Sequence, residues 1–440
     1  MKNNRTKSIL ICLILVTTSP FLFLYTNLAD VWQASDPSIF SDRLTFITAS
    51  VTGYIGTVLL IWSFFLGIRS LVSLVTPDIV WATNIHKWIG KYGLLLVFVH
   101  PILEMYTRAQ NFFWLFAPDF SSSYQAHISF GRFAFLLFLI VYITSAIIRD
   151  RIKYRPWKYI HYLSYPMLFL IFIHAVEIGT YLNKYPALNA LWSSLFIAYF
   201  GLIIYRLIDW SGTLKPQYIL SSSTIHGDNI IVQNYAPLGR KISPLPGQYT
   251  YLQIHSFGES HPFSIMSYDK VTSGITFGIK NQGSFTDKIS KLKIGSRVRL
   301  EKPYGVFTRE AQNDKPKMLI ASGVGITPFV DLIKNYTSDQ TTLLYANKKL
   351  EDTLLHDTFC QTLENRYTSF ITQEKGTDSP NVTYGHILST HIIQASGGQE
   401  HIKSFQYFIC GGSSFMKNML AILTSLEIPQ NQIYTEEFSN

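Results

Sequence analysis

Four histidines with paired spacing are the most chemically specific residues of this 440-residue chain. His86 and His100 lie 14 residues apart, and His161 and His174 lie 13 apart, each pair near one apolar stretch. Neutral imidazole is a common ligand of metals and of haem iron. Ionisable side chains are costly inside a membrane segment and usually functional there. The pattern predicts two bis-histidine haem b sites, His86 with His161 and His100 with His174; a capping or packing role is the alternative for any one of them.

The two spacings rotate the second histidine of each pair by different angles about the helix axis. On an ideal helix, 14 residues turn the second side chain by about 40°, whereas 13 residues turn it by about 140°. A straight helix would therefore point His161 and His174 at different partners. Pro166 lies between them, and proline kinks a helix because it lacks an N–H group. We expect this helix to be bent or rewound near Pro166.

Six apolar segments of the first half can position these residues in a bilayer, since each approaches the roughly 20 residues that one crossing takes. They cover residues 9–28, 44–66, 88–105, 133–148, 159–176 and 188–207. The first segment, with a basic start, also resembles a secretory signal. Pro20 interrupts it and no small-residue cleavage site follows, so we expect an uncleaved helix.

Lysine and arginine concentrate at the N-terminus and in alternate loops. These residues are Lys2, Arg5, Lys7, Arg69, Lys87, Arg149, Arg151, Lys153, Arg155 and Lys158. Loops rich in positive charge stay in the cytoplasm. The distribution predicts a multi-pass protein of the plasma (inner) membrane, with the lipid bilayer as partner and with both termini and the second half in the cytoplasm.

Composition excludes several classes of protein. Apolar residues make up 48% of the chain and charged residues only 15%, which argues against a disordered chain and against one wholly soluble globule. The three cysteines are too few for a disulfide framework or a four-cysteine metal site. Residues 211–440 carry 21 basic against 19 acidic side chains without a basic stripe, so the net charge of +9 does not indicate nucleic acid. No obligate protein partner is indicated.

The predicted outer side carries further polar and aromatic residues. His127 has no partner at helical spacing and is expected at the surface or interface. Basic flanking residues could neutralise haem propionates or snorkel to the interface; they are Arg69, Lys87, Lys91, Arg108 and Arg132. The aromatic stretch 112–124 would either cap the outer haem or lie in the interface.

The second half reads as two soluble domains. Short alternating segments over 217–309, broken by Gly and Pro, predict a small antiparallel barrel. From residue 317 strands alternate with helices, which predicts a parallel sheet with a nucleotide at the strand ends. Gly323 and Gly325 follow the first strand, and Gly411 follows a later one. The predicted domains are 1–211, 212–314 and 315–440.

These motifs together resemble the ferric reductase/NADPH oxidase superfamily over residues 43–438. The resemblance implies a six-helix transmembrane bundle followed by a ferredoxin-reductase-like module, with FAD, two haem b and NAD(P)H as cofactors. It implies FAD contacts from Tyr249, His261, Pro262, Phe263, Ser264, Gly283, Ser284, Phe285, Thr286 and Phe438. It implies nicotinamide contacts from Gly323, Gly325, Thr327, Pro328, Cys410 and Gly411.

The resemblance also implies catalytic roles. Ser264 would hydrogen-bond the flavin ring near its reactive nitrogen, and Thr327 and Cys410 would lie near the path of the hydride. His261 stands where many relatives have arginine. Phe438 would cover the flavin face, although two residues follow it.

The expected activity is electron transfer from cytoplasmic NAD(P)H through FAD, the inner haem and the outer haem to an acceptor outside. Oxygen giving superoxide is slightly favoured over a ferric chelate, because the outer loops show no cluster of metal ligands. NADPH is slightly favoured, since Lys348 and Lys349 follow the second sheet strand, where lysine could meet a 2′-phosphate. An anchored flavin reductase without haem and a non-enzymatic haem sensor are the alternatives.

Overall fold

The computed structural model describes residues 2–19, 37–108 and 111–437, and the chain divides into two compact units, Met1–Leu207 and Ile208–Asn440. The first unit is helical. Its α-helices are α1 (Lys2–Thr18), α2 (Pro37–Leu66), α3 (Arg69–Val72), α4 (Ile79–Lys91), α5 (Leu96–Arg108), α6 (Ser123–Tyr142), α7 (Tyr154–His161), α8 (Ser164–Ile178), α9 (Thr180–Lys184) and α10 (Pro186–Ser211), which ends in the second unit.

Five stretches in the described part of the chain are long and apolar enough to cross a membrane. They are Ile39–Leu66, Ile79–Thr107, Ser123–Ile147, Tyr154–Ile178 and Pro186–Ser211. They coincide with the second to sixth segments predicted from the sequence. The first four of these stretches begin five to ten residues before the predicted starts, and the last begins two residues before. The first predicted segment, 9–28, coincides in part with the shorter apolar helix Thr6–Thr18, and its residues 20–28 lie outside the described residues.

Polar caps explain two of the early starts. The Asp78 side chain accepts a hydrogen bond from the Trp81 N–H at 3.0 Å and begins α4. The Ser122 side chain accepts one from Gln125 N–H at 3.2 Å and begins α6. Side-chain oxygens at these positions satisfy N–H groups that the first helical turn leaves unpaired. Caps of this kind lie outside the apolar runs, so hydropathy alone placed the starts too late.

The helix carrying His161 and His174 is interrupted, as predicted. Helix α7 ends at His161 and α8 begins at Ser164, two residues before Pro166. Pro166 cannot donate to the carbonyl of Tyr162, and the Tyr165 N–H donates to that carbonyl instead, at 3.0 Å. The tighter turn changes the phase between the two histidines.

The helix carrying His86 and His100 is not the regular helix that the phase argument assumed. Helix α4 ends at Lys91, residues Gly93–Leu95 form a 3₁₀ turn, and α5 begins at Leu96 with Pro101 inside it. The expected angle of about 40° between His86 and His100 assumed an uninterrupted α-helix. That assumption is wrong, because a 3₁₀ turn winds three residues per turn.

The second unit begins with a seven-stranded sheet in which every paired strand is antiparallel. Its order is β4-β3-β7-β1-β2-β6-β5, with β1 (Gln217–His226), β2 (Ile230–Leu238), β3 (Tyr249–Gln253), β4 (Ser260–Ser264), β5 (Ser267–Tyr268), β6 (Ile275–Lys280) and β7 (Arg297–Leu300). Helix α11 (Ser284–Ser290) follows β6. Tyr218, Leu252, Phe277 and Val298 are among the fully buried core residues of this sheet.

A six-stranded parallel sheet follows, in the order β11-β10-β9-β8-β12-β13. Its strands are β8 (Lys317–Ser322), β9 (Thr341–Asn347), β10 (Tyr367–Ile371), β11 (Val382–Tyr384), β12 (Gln406–Gly411) and β13 (Ile433–Glu437). The connecting helices are α12 (Thr327–Tyr336), α13 (His356–Leu363), α14 (Ser389–Ala395) and α15 (Ser413–Ser425). Apolar helices, an antiparallel sheet and a parallel sheet thus follow one another as the predicted fold class requires.

Candidate functional site

The inner histidine pair joins α4 to the end of α7. The ring centroids of His86 and His161 lie 6.1 Å apart. Nδ1 of His86 lies 2.8 Å from the Ser63 carbonyl oxygen. Since a carbonyl only accepts hydrogen bonds, this Nδ1 carries the proton and Nε2 keeps its lone pair. Nδ1 of His161 lies 3.1 Å from Ser145 Oγ, and the Trp157 ring stacks on the His161 ring at 5.0 Å.

The outer pair joins α5 to α8. The ring centroids of His100 and His174 lie 6.1 Å apart. Nδ1 of His100 lies 2.9 Å from the Ala49 carbonyl oxygen, so Nε2 of this residue also keeps its lone pair. Hydrogen bonds from the far ring nitrogen commonly orient metal-binding histidines.

Both pairs have the separation that one iron between two imidazoles requires. An imidazole–metal bond measures about 2 Å, and the nitrogen lies about 1 Å from the ring centre, so the two centroids should lie about 6 Å apart. The observed 6.1 Å at each pair meets this requirement. The donor set fits a haem at each pair, and the assignment of the four ligands stays a prediction.

Glycines leave room for the outer rings. A Cβ at Gly131 would lie 2.7 Å from Nδ1 of His174, and a Cβ at Gly53 would lie 3.0 Å from Nδ1 of His100. Any larger residue would therefore displace these imidazoles. The sequence analysis missed both glycines, because a glycine within an apolar run carries no signal until its neighbour is known.

A cavity contains the outer pair in its lining. Arg132 lines it and is only 8% exposed; its Nη1–H donates to the Ala117 carbonyl at 2.6 Å, and its guanidinium lies 4.5 Å from the Trp114 ring centroid. Its Nε atom has no hydrogen-bond partner within the part of the chain that the structure describes. Buried donors rarely stay unpaired. Arg132 therefore fits an acidic group entering the cavity better than the alternative role of a snorkelling flank residue.

The aromatic stretch 112–124 has both expected features. Trp114 and Leu115 line the cavity, whereas Phe112 and Phe113 are exposed by 63% and 77%. One side of this stretch therefore covers the outer pair, and the other carries the apolar rings expected at an interface.

His127 lies in the first turns of α6 and takes part in a separate cluster. Its Nδ1 lies 2.8 Å from Oε2 of Glu177 and 2.9 Å from the Ser123 carbonyl oxygen. The Ser123 hydroxyl donates to the same carboxylate oxygen at 2.5 Å. His127 is thus held by a carboxylate near the start of α6, with its side chain 21% exposed.

The predicted flavin motifs meet on β3, β4 and α11. Tyr249 pairs with Ser264 across the two strands, and Ser264 is buried. The His261 ring stacks on Phe285 with a centroid distance of 3.9 Å, which brings the start of α11 beside β4. Phe263 packs into the sheet core, which agrees with its alternative role in packing. Pro262 is exposed on β4.

The turn before α11 is arranged by Thr286. Its Oγ1 accepts hydrogen bonds from the N–H groups of Gln282 and Gly283, at 3.1 and 3.0 Å. Gly283 and Ser284 are exposed at this turn. The predicted pyrophosphate contacts therefore lie at an accessible turn beside the His261–Phe285 stack.

The predicted nicotinamide motifs meet at the carboxyl edge of the parallel sheet. β8 and β12 are neighbours, and a Cβ at Gly325 would lie only 2.3 Å from the Cys410 carbonyl oxygen. Gly323 has a positive φ of 52°, with nothing within 4 Å of an added Cβ. The space above Gly412 is equally open. Two strand–glycine–helix turns with open backbone fit a dinucleotide at this edge.

Thr327 connects the two sheets. It is buried at the start of α12, next to Pro328, and a Cβ at Gly278 of β6 would lie 2.9 Å from its Cγ2 atom. Asp331 on the same helix accepts hydrogen bonds from Ser267 Oγ at 3.0 Å and from the Tyr268 N–H at 2.7 Å. The nucleotide edge of one sheet thus faces the other sheet, as hydride transfer between two cofactors requires.

Cys410, which is fully buried, and Glu436, which is partly buried, form a pair that sequence reasoning missed in part. They are opposite each other on β12 and β13. Burial raises the pKa of the Cys410 thiol, and burial raises the pKa of Glu436 to about 7. Oε2 of Glu436 has no hydrogen-bond partner among the described residues. An acidic residue on a strand next to the C-terminus was the available signal. Phe438 lies outside the described residues.

Comparison with known families matches three parts of the chain. Residues 52–172 match the ferric reductase like transmembrane component, residues 223–330 match an FAD-binding domain, and residues 319–421 match an oxidoreductase NAD-binding domain. Together these three domains indicate an NAD(P)H-dependent oxidoreductase.

Several curated proteins are similar to this chain in sequence. Ferric reduction oxidase 4 of Arabidopsis thaliana is 22% identical over 74% of this chain and 44% of its own length. Probable ferric reduction oxidase 1 of the same plant is 21% identical over 90% of this chain and 57% of its own length. The reductase component of propane 2-monooxygenase from Rhodococcus jostii is 23% identical over 44% of this chain and 55% of its own length. The chain spans about half the length of these relatives.

Several solved structures cover about half of this chain. The FAD/NAD-binding domain of a nitric oxide dioxygenase from Vibrio cholerae covers 51% of this chain and 99% of its own, with 19% identity and a TM-score of 0.43. A ferredoxin NADP+ reductase from Neisseria gonorrhoeae covers 50% of this chain and 97% of its own, with 16% identity and a TM-score of 0.43. The chain has the ferric reductase like transmembrane component, the FAD-binding domain and the NAD-binding domain, and together with its ferric reduction oxidase relatives this set agrees with the ferric reductase/NADPH oxidase superfamily.

Proposed function

We propose that this chain is a transmembrane oxidoreductase that takes electrons from cytoplasmic NAD(P)H and delivers them to an acceptor outside. The proposal rests on the two pairs of histidine side chains, since the ring centroids of each pair lie 6.1 Å apart. When bound, FAD converts a two-electron hydride donor into a one-electron donor, and haem b carries single electrons.

The chain's residues would bind and orient the cofactors. His86 with His161 and His100 with His174 would hold one haem each through their imidazoles, and each haem would carry single electrons. Ser264 would hydrogen-bond the flavin ring, while Thr327 and Cys410 would border the nicotinamide. This assignment counts against the haem-free reductase, since its histidines would have no reason to meet at this separation.

Molecular oxygen, giving superoxide, is the first candidate acceptor. It is favoured because no group of His, Cys, Asp or Glu side chains that could hold a ferric ion occurs among the described residues, and Arg132 supplies a buried positive charge that would attract an anionic product. A ferric chelate is the second candidate. It is favoured by the relatives named ferric reduction oxidases.

We also propose that the protein lies in the plasma membrane with both termini in the cytoplasm. Lysine and arginine concentrate before the first apolar run, as Lys2, Arg5 and Lys7, and after α6, where residues 149–158 contain five of them, and the loops on the other side carry few. A C-terminal fusion to green fluorescent protein should fluoresce, and a fusion to alkaline phosphatase should be inactive; the opposite result would reverse the orientation.

The central test is the purified full-length chain with FAD and NAD(P)H, followed by optical spectra without oxygen. We expect the haem bands to become reduced. His100→Leu should lose one of two haems and stop delivery to the outer acceptor, while flavin reduction continues. His127→Leu is the matched control and should keep both haems. Normal delivery to the acceptor in His100→Leu would refute the proposal.

The acceptor is tested by comparing oxygen uptake, with superoxide detection, against reduction of a ferric chelate. Faster superoxide formation supports oxygen. Ferric reduction that proceeds at the same rate with superoxide removed by superoxide dismutase supports the chelate.

A further inference from the structure

The charged side chains beside β9 affect whether the chain binds NADH or NADPH. This inference rests on the proposed function. Residues 319–421 match an NAD-binding domain, and the open glycine turns place the dinucleotide at the carboxyl edge of the sheet. In such sheets the residues that end the second strand meet the adenosine ribose: an acidic side chain binds the 2′-hydroxyl of NAD, and a basic one accommodates the 2′-phosphate of NADP. β9 is that strand, because it pairs with β8 and ends at Asn347.

The loop after β9 carries two lysines, and one of them is held by carboxylates. Lys349 Nζ lies 3.0 Å from Asp228 Oδ2 and 3.0 Å from Glu351 Oε1. These hydrogen bonds raise the pKa of Lys349, so it remains a cation within this ion-pair cluster. Asp228 belongs to the turn between β1 and β2, and its N–H donates to Asp352 Oδ1 at 3.2 Å. The turn of the antiparallel sheet thus fixes the charges of this loop.

A further carboxylate lies at the end of β10. The Thr372 N–H donates to the Asn347 carbonyl at 2.9 Å, which joins the ends of β9 and β10. Oε2 of Glu374 accepts the Leu350 N–H at 2.9 Å, which attaches this carboxylate to the loop after β9. The second oxygen of the carboxylate remains able to accept a hydrogen bond from a ribose hydroxyl.

The sum of charges at this loop is unfavourable for a phosphate. The acidic side chains are Asp228, Glu351, Asp352 and Glu374, and the basic ones on the same two strand ends are Lys348, Lys349 and Lys375. Lys348 and Lys375 are exposed to solvent. A phosphate dianion placed among these carboxylates is repelled, and like-charge contacts of this kind exclude wrong ligands.

We infer that the chain uses NADH in preference to NADPH, with Glu374 facing the ribose 2′-hydroxyl and with Asp228 and Glu351 withholding Lys349 from a 2′-phosphate. This preference replaces the slight expectation of NADPH that the sequence gives, because Lys349 is taken as available to a phosphate until its carboxylate partners are known.

The test is the rate of flavin bleaching in the full-length chain with FAD, mixed with NADH or NADPH without oxygen. We expect the second-order rate constant to be about tenfold or more higher with NADH. Faster bleaching with NADPH would overturn the inferred preference for NADH but leave the proposed function standing. Failure of both nucleotides to bleach the flavin would overturn the proposed function and the inference with it.

A double variant tests the carboxylates. Asp228→Asn with Glu351→Gln should release Lys349 and raise the rate constant for NADPH about tenfold, and adding Lys349→Ala should remove that gain. Glu427→Gln breaks an exposed ion pair with Lys403 elsewhere in the domain and should change neither rate constant. A double variant with an unchanged preference for NADH would overturn the role given to Asp228 and Glu351.

Discussion

The ring of His174 leaves no space for a side chain at Gly131: a Cβ there would lie 2.7 Å from Nδ1. This contact lies between α6 and α8, two helices of the first unit that pack along each other. Glycine at this point is therefore part of the proposed haem site, although it binds nothing itself.

Gly131→Ala should lower the haem content of the purified protein from two haems to about one, because a displaced imidazole no longer meets an iron at bonding distance. The haem-to-protein ratio, measured as the pyridine haemochrome, checks this. Gly201→Ala on α10 is the control, since a Cβ there meets nothing within 4 Å, and it should keep both haems. Two haems in Gly131→Ala would contradict the proposed geometry.

Near each histidine pair, the guanidinium group of an arginine packs against the ring of a tryptophan. Arg132 lies 4.5 Å from the Trp114 ring at the outer pair, and Arg149 lies 4.3 Å from the Trp157 ring, which stacks on His161. A positive charge near a haem favours its reduced form.

Arg132→Gln should therefore lower the midpoint potential of one haem, and Arg149→Gln should lower that of the other. A redox titration followed optically measures both. The two variants act as controls for each other. If both variants shift the same haem, the assignment of one pair to each arginine is wrong.

Glu436 should make stability depend on pH. Its pKa rises from 4.5 to about 7 on burial, so the folded chain holds this proton more tightly than the unfolded chain does. The resulting stabilisation is present below pH 4.5 and is lost as pH rises to 7, by about 3 kcal/mol.

Melting of the full-length chain, followed by release of FAD fluorescence between pH 5 and 8, measures this loss. Glu436→Gln should flatten the fall of the melting temperature with pH, since it cannot ionise. Glu427→Gln, which changes an exposed carboxylate, should keep the native slope. An unchanged slope in Glu436→Gln would show that another group titrates.

The buried ion pair of Lys215 and Glu301 should be costly to break. Lys215 Nζ lies 3.0 Å from Glu301 Oε1, with side chains only 7% and 3% exposed, and the Tyr304 hydroxyl donates to Glu301 Oε2 at 2.7 Å. Lys215→Met leaves a buried carboxylate without its cation and should destabilise the second unit by about 3–5 kcal/mol.

The double variant Lys215→Met with Glu301→Leu should recover part of this loss, because it removes the unpaired charge. Denaturant unfolding, followed by FAD fluorescence, compares the two. A double variant less stable than Lys215→Met would indicate that Glu301 is needed mainly for its bond to Tyr304.

Much of the fold followed from pattern alone. Hydropathy located five of the membrane spans, and the strands Arg297–Leu300 and Lys317–Ser322 stand where short alternating and apolar runs predicted them. The break before Pro166 was predictable, since proline removes a backbone hydrogen bond wherever it stands. The turn at Gly93–Leu95 was not, because no proline or charge in the sequence marks it.

The sequence by itself predicted which side chains could bind iron, since residue type and spacing along a helix are local properties. Only the tertiary structure decided that Gly53 and Gly131 clear space for imidazoles, that Arg132 faces a cavity, and that carboxylates hold Lys349. Each of these depends on which residue a neighbouring element brings within a few ångströms. Such contacts join positions far apart in the chain, and no periodicity records them.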